Sequence, residues 1–325
     1  MKTALITGIN GQDGSYLTEF LLEKGYRVWG ILRRNSVAEN QTYRLDTIYG
    51  HPNLRLEYGD LTDFASLVRI LRLAKPIEVY NLAAQSHVRI SFDQPIYTTQ
   101  VTGAGTLNLL EAIRLVCPTA RVYQASSSEM FGNSIDDDGF QRESTPLNPV
   151  SPYACAKVFS YNICRNYRNA YNMFIANGIL FNHESPRRGA NFVTNKVAKE
   201  AVKIKLGLSD ALYLGNMNAT RDWGHAKDYV RAMWMILQHS TADDFVCATG
   251  ISHSVKDWVN YVFDYLKLDS QQYVRVDKRY FRPEELKDLR GDASKAKKVL
   301  GWKPEITFQE MMKEMVDYWL EYFKK

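Results

Sequence analysis

The chain has 325 residues, which is enough to bury a large core and to build more than one structural unit. Its apolar content of 45%, its charged content of 24% and its net charge of +5 are ordinary for a globular protein. The lysines and arginines are scattered, and no apolar run approaches the roughly 20 residues of a membrane span, so we expect neither a nucleic-acid nor a membrane partner.

Short apolar runs alternate with helical patterns over residues 1–180. We predict strands at 3–7, 27–32, 54–58, 78–82, 121–125 and 173–180, and helices at 16–24, 64–73, 107–114 and 153–170. A steady alternation of strand and helix predicts a parallel sheet that helices cover on both faces, with right-handed crossovers. The expected fold class is therefore α/β, with a doubly wound parallel sheet of the Rossmann type.

The regular alternation of predicted strands and helices ends after residue 180, where the loops become longer and contain both aromatic and basic residues. Only short strands are plausible there, at 211–214 and 244–247, and helices are predicted at 195–206, 227–238, 255–266 and 308–322. We predict that residues 1–180 form the main domain, to which later segments return, and that residues 181–325 mainly form a smaller lobe. The functional site should lie in the crevice beyond the carboxyl ends of the strands.

A glycine-rich turn joins the first predicted strand to the first helix. Its glycines fall at 8, 11 and 14, and Asn10 takes the place of the second glycine of a G-x-G-x-x-G turn. Glycines permit a close approach of the backbone to a pyrophosphate, whose charge the helix N-terminus favours. Such turns also occur without a ligand, but the position between a first strand and a first helix predicts a dinucleotide-binding domain. The residues expected in the site are Gly8, Asn10, Gly11, Gln12 and Asp13.

The end of the second strand indicates which dinucleotide binds. A site for NAD has an acidic residue there to bind the ribose hydroxyls, whereas this strand runs into Arg33, Arg34 and Ser36. Arginine and serine suit the 2′-phosphate of NADP, although a solvated basic turn would have the same residues. We predict NADP as the cofactor, bound by Arg33 and Ser36.

The turns after the third and fourth strands complete the predicted cofactor site. Asp60 and Leu61 follow the third strand and are placed to meet the adenine. The stretch that begins at the end of the fourth strand is rich in small side chains, where the backbone has to pass close to the cofactor. The residues expected there are Leu82, Ala83, Ala84 and Ser86.

A serine cluster, a glutamate, a tyrosine and a lysine form the candidate catalytic set. The fifth strand ends in three serines followed by Glu129, and Tyr153 and Lys157 share one face of the next predicted helix. A cationic lysine beside a phenol lowers the pKa of the phenol, which can then take a proton from a substrate hydroxyl while hydride leaves the same carbon. Tyr-x-x-x-Lys alone is common in plain helices, but after a serine cluster and a cofactor turn it predicts a dehydrogenase-type site.

Stretches across the whole chain resemble the GDP-mannose 4,6-dehydratases of the extended short-chain dehydrogenase/reductase family. The matching stretches are 7–17, 81–88, 124–132, 151–157, 182–189, 221–229 and 282–292. The runs Asn-His-Glu-Ser-Pro-Arg-Arg-Gly at 182–189 and Arg-Asp-Trp-Gly-His at 221–225 are much more specific than the cofactor turn. The resemblance covers both the main domain and the smaller lobe.

The resemblance implies a catalytic role for four residues. Ser127 stands where the family usually has threonine and supplies a hydroxyl, while Tyr153 and Lys157 are the base and its helper and also contact the cofactor. Glu129 is the residue that turns a dehydrogenase into a dehydratase. In the implied reaction, C4 of the sugar is oxidised, Glu129 removes the C5 proton, water leaves from C6, and hydride returns to C6.

The resemblance also implies binding residues. Those for NADP, beside the turns already described, are Tyr97, His183 and Arg188. Those for the GDP-sugar are Ser86, Ser128, Glu129, Asn182, Lys196, Arg221, Arg282 and Glu285. The arginines are expected on the diphosphate, because a diphosphate suits planar, permanently charged donors.

Several alternatives stay open. A 4-epimerase or a 4-keto reductase would share the fold, but neither needs Glu129 as an acid/base at C5 and C6. A reductase side activity is open, and so is a cofactor-binding regulator, although a regulator would be expected to lose Tyr153, Lys157 or Glu129. The choice of guanine rests on the resemblance alone. A homo-oligomer is expected, and because residues 35–49 follow the family only loosely, dimer and tetramer stay open.

The cysteines and the first residues bear on the compartment. Cys117, Cys155, Cys164 and Cys247 form no C-x-x-C pair, and no histidine cluster has zinc spacing, so we expect free thiols and no metal site. The first residues run directly into a strand without the layout of a signal peptide. We therefore expect a cytoplasmic protein.

Overall fold

A seven-stranded parallel sheet is the centre of the computed structural model, which describes residues 1–34, 41–281 and 283–324. The strands are β1 (Thr3–Thr7), β2 (Arg27–Leu32), β3 (Leu54–Tyr58), β4 (Glu78–Asn81), β5 (Arg121–Ser127), β6 (Ile175–Leu180), β7 (Asn182–Glu184), β8 (Leu212–Leu214), β9 (Thr220–His225), β10 (Asp244–Cys247), β11 (Ser252–Ser254), β12 (Val274–Val276) and β13 (Asp288–Leu289).

The helices cover both faces of this sheet and build most of the smaller lobe. They are α1 (Gln12–Glu23), α2 (Phe64–Ala74), α3 (Val88–Asp93), α4 (Pro95–Thr98), α5 (Gly105–Val116), α6 (Pro152–Tyr171), α7 (Val193–Lys205), α8 (Ala226–Gln238), α9 (Val255–Tyr265), α10 (Ser270–Tyr273), α11 (Ser294–Leu300) and α12 (Phe308–Tyr322). A π-helix spans Thr99–Ala104, and 3₁₀ turns span Tyr43–Leu45, Ser128–Phe131 and Lys278–Tyr280. Within the described part of the chain, none of the helices has the length and apolarity that crossing a membrane requires.

The strand order of the large sheet is β10-β6-β5-β4-β1-β2-β3, with every pair parallel. The chain winds outward from β1 in one direction through β2 and β3, and then in the other direction from β4. The order therefore reverses between β1 and β4, and ligands of such sheets bind in the crevice beyond this reversal point. The predicted doubly wound parallel sheet is confirmed.

Two segments from the second half of the chain contribute to the large sheet. β10 pairs with β6, so the strand expected after residue 180 at 244–247 extends the main sheet. α8 packs on α1, where Met233 and Ile236 share a core with Leu17 and Leu21. The two halves of the chain are therefore joined by a common core.

The remaining elements form the smaller lobe. β9 pairs antiparallel with β11 and parallel with β7 and β13, while β8 pairs with β12. A separate apolar core of α7, α9 and α12 supports these strands, and it includes Val197, Trp258, Val262, Met311 and Met315. Because β7 follows β6 directly, this lobe starts at the carboxyl edge of the large sheet.

The turn after β1 is shaped by contacts that leave no room for side chains. Gly8 has φ +67°, and a Cβ built on Gly14 would lie 2.4 Å from the Gly8 carbonyl oxygen and 2.6 Å from Cα of Ile9. The Thr7 hydroxyl donates to Oδ1 of Asn81 over 2.7 Å. The chain segments that follow β1 and β4 are thereby fixed against each other at the reversal point.

We predict that Gly14→Ala destabilises the protein, whereas Gly103→Ala does not. The new methyl group at position 14 meets backbone atoms that have to shift, and overpacking of this kind costs about 1–3 kcal/mol. A Cβ on Gly103 meets nothing closer than 3.5 Å, which is an ordinary contact. Thermal and denaturant unfolding of the two variants measure the difference, and equal stability of both would contradict this account of the turn.

Candidate functional site

A cavity of about 770 Å³ lies at the carboxyl ends of the central strands and extends under the smaller lobe. It brings together residues predicted for catalysis, for the cofactor and for the sugar nucleotide. The predicted residues that line it are Asp13, Leu82, Ala84, Ser86, Ser127, Ser128, Glu129, Tyr153, Lys157, Asn182, His183, Arg188, Lys196, Arg221 and Glu285.

Other residues predicted for the cofactor lie outside this lining. Gly8, Gly11 and Ala83 supply backbone to the tight turns at the ends of β1 and β4, and Gln12 donates to the carbonyl of His183. The Asn10 amide donates to the carbonyl of Gln41 over 3.1 Å. These residues thus lie in the turns around the start of α1 and the end of β4.

The residues predicted to meet the adenosine part of the cofactor lie beyond β2 and β3. The Arg33 guanidinium donates a hydrogen bond to the Tyr97 hydroxyl, so two predicted NADP residues are in contact. Asp60 accepts hydrogen bonds from Thr62, and Leu61 is buried in the core beside Gly105. Two further predicted residues, Ser36 and Arg282, lie outside the residues that the structure describes.

Tyr153 and Lys157 are placed by the start of α6. The Ser151 hydroxyl accepts from the Ala154 amide over 3.1 Å, Pro152 occupies the first turn, and this cap fixes where the helix begins. One turn separates Tyr153 from Lys157, and both side chains are buried against the end of β5. The Lys157 ammonium donates to the Ala125 carbonyl over 2.7 Å and lies 5.7 Å from the centre of the Tyr153 ring.

Burial controls the ionisation of this pair. It raises the pKa of Tyr153 to about 12, against a hydrogen bond with Ser127 that lowers the pKa, and the charge of Glu129 adds to the rise. Burial also lowers the pKa of Lys157 to about 8. The net shift of the tyrosine is therefore opposite to the lowering that a neighbouring lysine alone predicts, because desolvation of the phenolate is the larger effect.

Glu129 lies in the 3₁₀ turn that directly follows β5. Its amide donates to the Ser127 hydroxyl oxygen over 3.3 Å, which closes the turn, and its side chain is buried on the same cavity as Tyr153. The turn ends at Gly132, where φ is +59° and a Cβ would overlap the carbonyl of Asn148. The chain thus holds one phenol, one hydroxyl and one carboxylate around a common space, a set that can move protons at neighbouring substrate atoms.

An ion pair joins α1 to the smaller lobe at the cavity wall. Nε2 of His183 lies 2.8 Å from Oδ2 of Asp13, and Nδ1 lies 2.8 Å from the carbonyl oxygen of Phe181. A carbonyl and an ionised carboxylate only accept hydrogen bonds, so this arrangement stabilises the ring with a proton on both nitrogens. The Tyr229 ring stacks on it with centroids 4.6 Å apart.

The lobe side of the cavity carries basic groups and one orphan acceptor. Lys196 donates to the Tyr213 carbonyl over 2.6 Å and lies 3.5 Å from the centre of the Tyr280 ring. Arg221 donates to the Leu286 carbonyl over 3.3 Å, next to Glu285. Oδ1 of Asn182 is buried without a hydrogen-bond partner among the described residues, which suits an incoming donor.

Some cavity residues were missed by sequence reasoning. Glu184, Phe192 and Thr194 line the cavity between β7 and α7. Glu184 belongs to the specific run at 182–189, and its acidic side chain in a basic run was the available signal. Phe192 and Thr194 follow no recognisable pattern. His225, at the end of the specific run 221–225, is fully buried and paired with Glu314 over 2.7 Å.

We predict a pH-dependent loss of stability in Asp13→Asn. Burial disfavours both charged groups, but their attraction outweighs it, raising the pKa of His183 above 6.5 and lowering the pKa of Asp13 below 3.8. The stabilisation is therefore complete between pH 3.8 and 6.5, and it is lost as pH rises through the folded pKa of His183 or falls through that of Asp13.

Unfolding of the protein and the variant at several pH values measures this loss. The difference in free energy of unfolding between the protein and the variant should be largest between pH 3.8 and 6.5 and should shrink as the pH rises further. Glu19→Gln is the control, because Glu19 pairs with Arg187, which cannot lose its charge, so the effect of this variant should not change as pH rises above 6.5. A pH-independent effect of Asp13→Asn would show that His183 is not charged by this pair.

Comparison with known proteins agrees with this geometry. A sequence model of the family described as GDP-mannose 4,6 dehydratase matches residues 5–315. GDP-mannose 4,6 dehydratase 1 of Arabidopsis thaliana is 52% identical, over 100% of this chain and 91% of the plant protein. GDP-mannose 4,6-dehydratase of Yersinia enterocolitica is 51% identical over 97% of this chain and 93% of its own length. GDP-mannose 4,6 dehydratase of Homo sapiens is 50% identical over 97% of this chain and 90% of its own length.

Solved structures share the fold. A dTDP-glucose 4,6-dehydratase from Bacillus anthracis in complex with NAD superposes with a TM-score of 0.87 at 21% identity, over 100% of this chain and 98% of that one. RMD from Pseudomonas aeruginosa complexed with NADPH superposes with a TM-score of 0.81 at 22% identity, over 99% of this chain and 100% of that one. The sequence matches extend over both the main sheet and the smaller lobe at about half identity, and the chain therefore belongs to the GDP-mannose 4,6-dehydratase family.

Proposed function

We propose that this protein is a GDP-mannose 4,6-dehydratase that converts GDP-mannose to GDP-4-keto-6-deoxymannose and water, with NADP used and regenerated in each turnover. The observation that carries the proposal is the buried grouping of Tyr153, Ser127 and Glu129 on one cavity. A dehydrogenase site needs only the tyrosine with its serine and lysine. The added buried carboxylate supplies the proton transfer that elimination of water requires.

The residues present fit a nicotinamide dinucleotide. Gly11 precedes helix α1 as its N-cap and provides no side-chain hydrogen bond, so the first amides of the helix suit an anionic group. Tyr153 and Lys157 line the cavity that opens from this helix end. When bound, the cofactor would accept hydride from C4 of the sugar and return it to C6.

The side chains account for the proton movements. Burial raises the pKa of Tyr153, and the positive charges of Lys157 and of a bound nicotinamide ring would lower it again. Tyr153 can then take the proton from O4 as C4 becomes a ketone, and the ketone makes the C5 proton acidic. Glu129 removes that proton, and the C6 hydroxyl leaves as water with a proton from Glu129 or Ser127. A proton then returns to C5 as hydride reaches C6. The Lys157 ammonium, held by the Ala125 carbonyl, supports negative charge on the Tyr153 oxygen.

Basic and polar groups of the smaller lobe support a diphosphate sugar as the substrate. Lys196, Arg221 and Asn182, with its buried acceptor, line the same cavity as the catalytic residues. This arrangement supports the division of labour in which residues 1–180 mainly hold the dinucleotide and residues 181–325 mainly hold the GDP-sugar. The guanine base itself follows from the family.

Arg33 supports NADP rather than NAD as the cofactor. Its guanidinium donates to the Tyr97 hydroxyl and lies 5.9 Å from the ring centre, at the end of β2 where the ribose of a dinucleotide binds. Arg34 points instead to Tyr58, with 5.7 Å between guanidinium and ring centre. The two neighbouring arginines thus have different surroundings.

We expect Arg33→Ala to weaken the binding of NADP⁺ far more than the binding of NAD⁺. Loss of a charge-assisted contact to the 2′-phosphate of about 1.5–3 kcal/mol raises the dissociation constant tenfold or more. Arg34→Ala is the matched control and should change neither constant by more than a few fold. Titration of each variant with both cofactors measures this, and equal losses for NADP⁺ and NAD⁺ would remove Arg33 from phosphate recognition.

Two substitutions separate the oxidation from the elimination. Tyr153→Phe should lose both steps, with turnover reduced by roughly 10²-fold or more. Glu129→Gln should lose the elimination to a similar extent but still oxidise C4, so reduced cofactor accumulates to about the enzyme concentration when GDP-mannose is added. Mass spectrometry of the nucleotide sugar and absorbance of the reduced nicotinamide follow the two steps.

Glu143→Gln is the matched control for the glutamate. Glu143 is partly buried and accepts a hydrogen bond from the Val246 amide over 2.7 Å, but it lies outside the cavity lining. Its substitution should leave turnover within a few fold. Full dehydratase activity in Glu129→Gln would end the proposed role of that residue.

We also propose that the protein works in the cytoplasm as a homo-oligomer, a dimer or a tetramer. The four cysteines are free thiols, which suits a reducing compartment. Large apolar side chains are exposed on neighbouring helices α5 and α6, and they include Leu115, Phe159 and Tyr171. Such a surface supports contact with another copy.

A further inference from the structure

A buried carboxylate lies on a cavity that is otherwise suited to anions. The Glu184 side chain is 2% exposed and lines the same cavity as Arg188 and Lys196. A negative charge beside two diphosphates weakens their binding unless it serves another purpose. The contacts of Glu184 show what that purpose is.

Among the described residues, the polar contacts of Glu184 come from Arg188 and Thr194, and both involve the same oxygen. Oε2 lies 3.1 Å from Nε of Arg188, and this contact is an ion pair that does not meet the geometry of a hydrogen bond. The Thr194 hydroxyl donates to Oε2 over 2.5 Å and fixes the carboxylate from the first turn of α7. The Glu184 carboxylate therefore lies at the Nε edge of the Arg188 guanidinium.

Arg188 is also fixed on its other sides. The guanidinium carbon lies 3.7 Å from the centre of the Phe192 ring, so one face of the group is covered. Its carbonyl accepts from the Asn195 amide over 2.5 Å, and Asn195 in turn accepts from the indole of Trp319 over 2.7 Å. The ion pair with Glu184 and the contact with the Phe192 ring thus occupy one edge and one face of the guanidinium of Arg188, which lines the cavity.

We propose that Glu184 is a positioning residue that holds the Arg188 guanidinium, on the Phe192 ring, in the orientation that binds the diphosphate of the dinucleotide cofactor. The inference rests on the proposed function for the identity of the ligand. Arg188 lies within electrostatic reach of Asp13 in the first turn of α1 and of Tyr153. The Arg188 amide donates to the Ser185 carbonyl over 3.0 Å, and the Ser185 hydroxyl donates to Gln12 in the first turn of α1 over 2.8 Å. Arg188 therefore follows a segment that is fixed to the start of α1, where a pre-oriented planar donor matches two phosphate oxygens.

Simple electrostatics and positioning give opposite expectations for Glu184→Gln. If Glu184 only adds negative charge, its neutralisation tightens the binding of an anion. If it orients Arg188, neutralisation releases the guanidinium, and the dissociation constant for NADP⁺ rises about tenfold, the effect of losing one good charge-assisted contact. The sign of the change decides between the two.

The experiment titrates the full-length protein with NADP⁺ and, separately, with GDP, and follows intrinsic tryptophan fluorescence. The variants are Glu184→Gln, Arg188→Ala, the double variant of these two, and Thr194→Val. The last variant keeps the Glu184 carboxylate but removes the hydroxyl that donates a hydrogen bond to it. We expect each single variant to bind NADP⁺ more weakly, with the smallest loss of affinity in Thr194→Val. The double variant should bind NADP⁺ no more weakly than Arg188→Ala does. GDP binding should change by less than threefold, because a general loss of structure would weaken both ligands.

The opposing outcomes are distinct. Unchanged or tighter NADP⁺ binding in Glu184→Gln, or additive losses in the double variant, would overturn the positioning role. A loss confined to GDP would overturn the assignment to the dinucleotide. The titrations need no turnover, so a failure of the dehydratase assay would leave them interpretable. If the unaltered protein prefers NAD⁺, the same variants are titrated with NAD⁺ and the same signs decide.

Discussion

A row of buried hydrogen bonds across the carboxyl ends of β1, β4 and β5 holds the site together. Thr7 donates to Asn81, Asn81 donates to Gln124 over 2.7 Å, and Gln124 donates to the Ala125 carbonyl over 3.2 Å. The same carbonyl accepts from the ammonium of Lys157. Each group has a defined direction, because the Thr7 oxygen already accepts from the amides that follow β4 and can donate only to Asn81. The cofactor turn and the catalytic lysine thus belong to one rigid unit.

The smaller lobe is attached to this unit where the chemistry takes place. Asp13 pairs with His183, and Gln12 bonds both to the His183 carbonyl and to the Ser185 hydroxyl. Arg188 follows within the same segment, on the turn that leads to α7. A ligand that bridges the cavity therefore meets groups from both parts of the chain whose relative positions are set by buried polar contacts. Such contacts are costly to break in a low-dielectric interior, which favours a preformed site.

The regular elements were largely predictable, and the site partly so. β1, β2 and β3 begin and end where the apolar runs at 3–7, 27–32 and 54–58 do, and α12 matches 308–322. β9 was not predicted, because Thr220–His225 has polar and charged residues without alternation, and it is buried only through its pairing with β7, β11 and β13. Short strands of this kind depend on tertiary contacts that no local pattern contains.

The same limit applies to the site. Tyr153 and Lys157 share a helix, so their spacing reveals them, whereas Asp13 and His183 are far apart in sequence and no spacing predicts their pairing. The ionisation of Tyr153 could not be read from its neighbours either, since burial outweighs the effect expected of a lysine. Glu184 was visible within a specific run, but its role depends on the position of Thr194 and Phe192 around Arg188.

The central claim is that oxidation at C4 and reduction at C6 are two halves of one turnover in this cavity. The most direct test incubates the protein with GDP-mannose carrying deuterium at C4 and a small amount of NADP⁺, and analyses the product by mass spectrometry. The account predicts loss of one water, deuterium retained at C6, and no accumulation of reduced cofactor. A product without deuterium, or a nucleotide sugar that keeps its water, would contradict it.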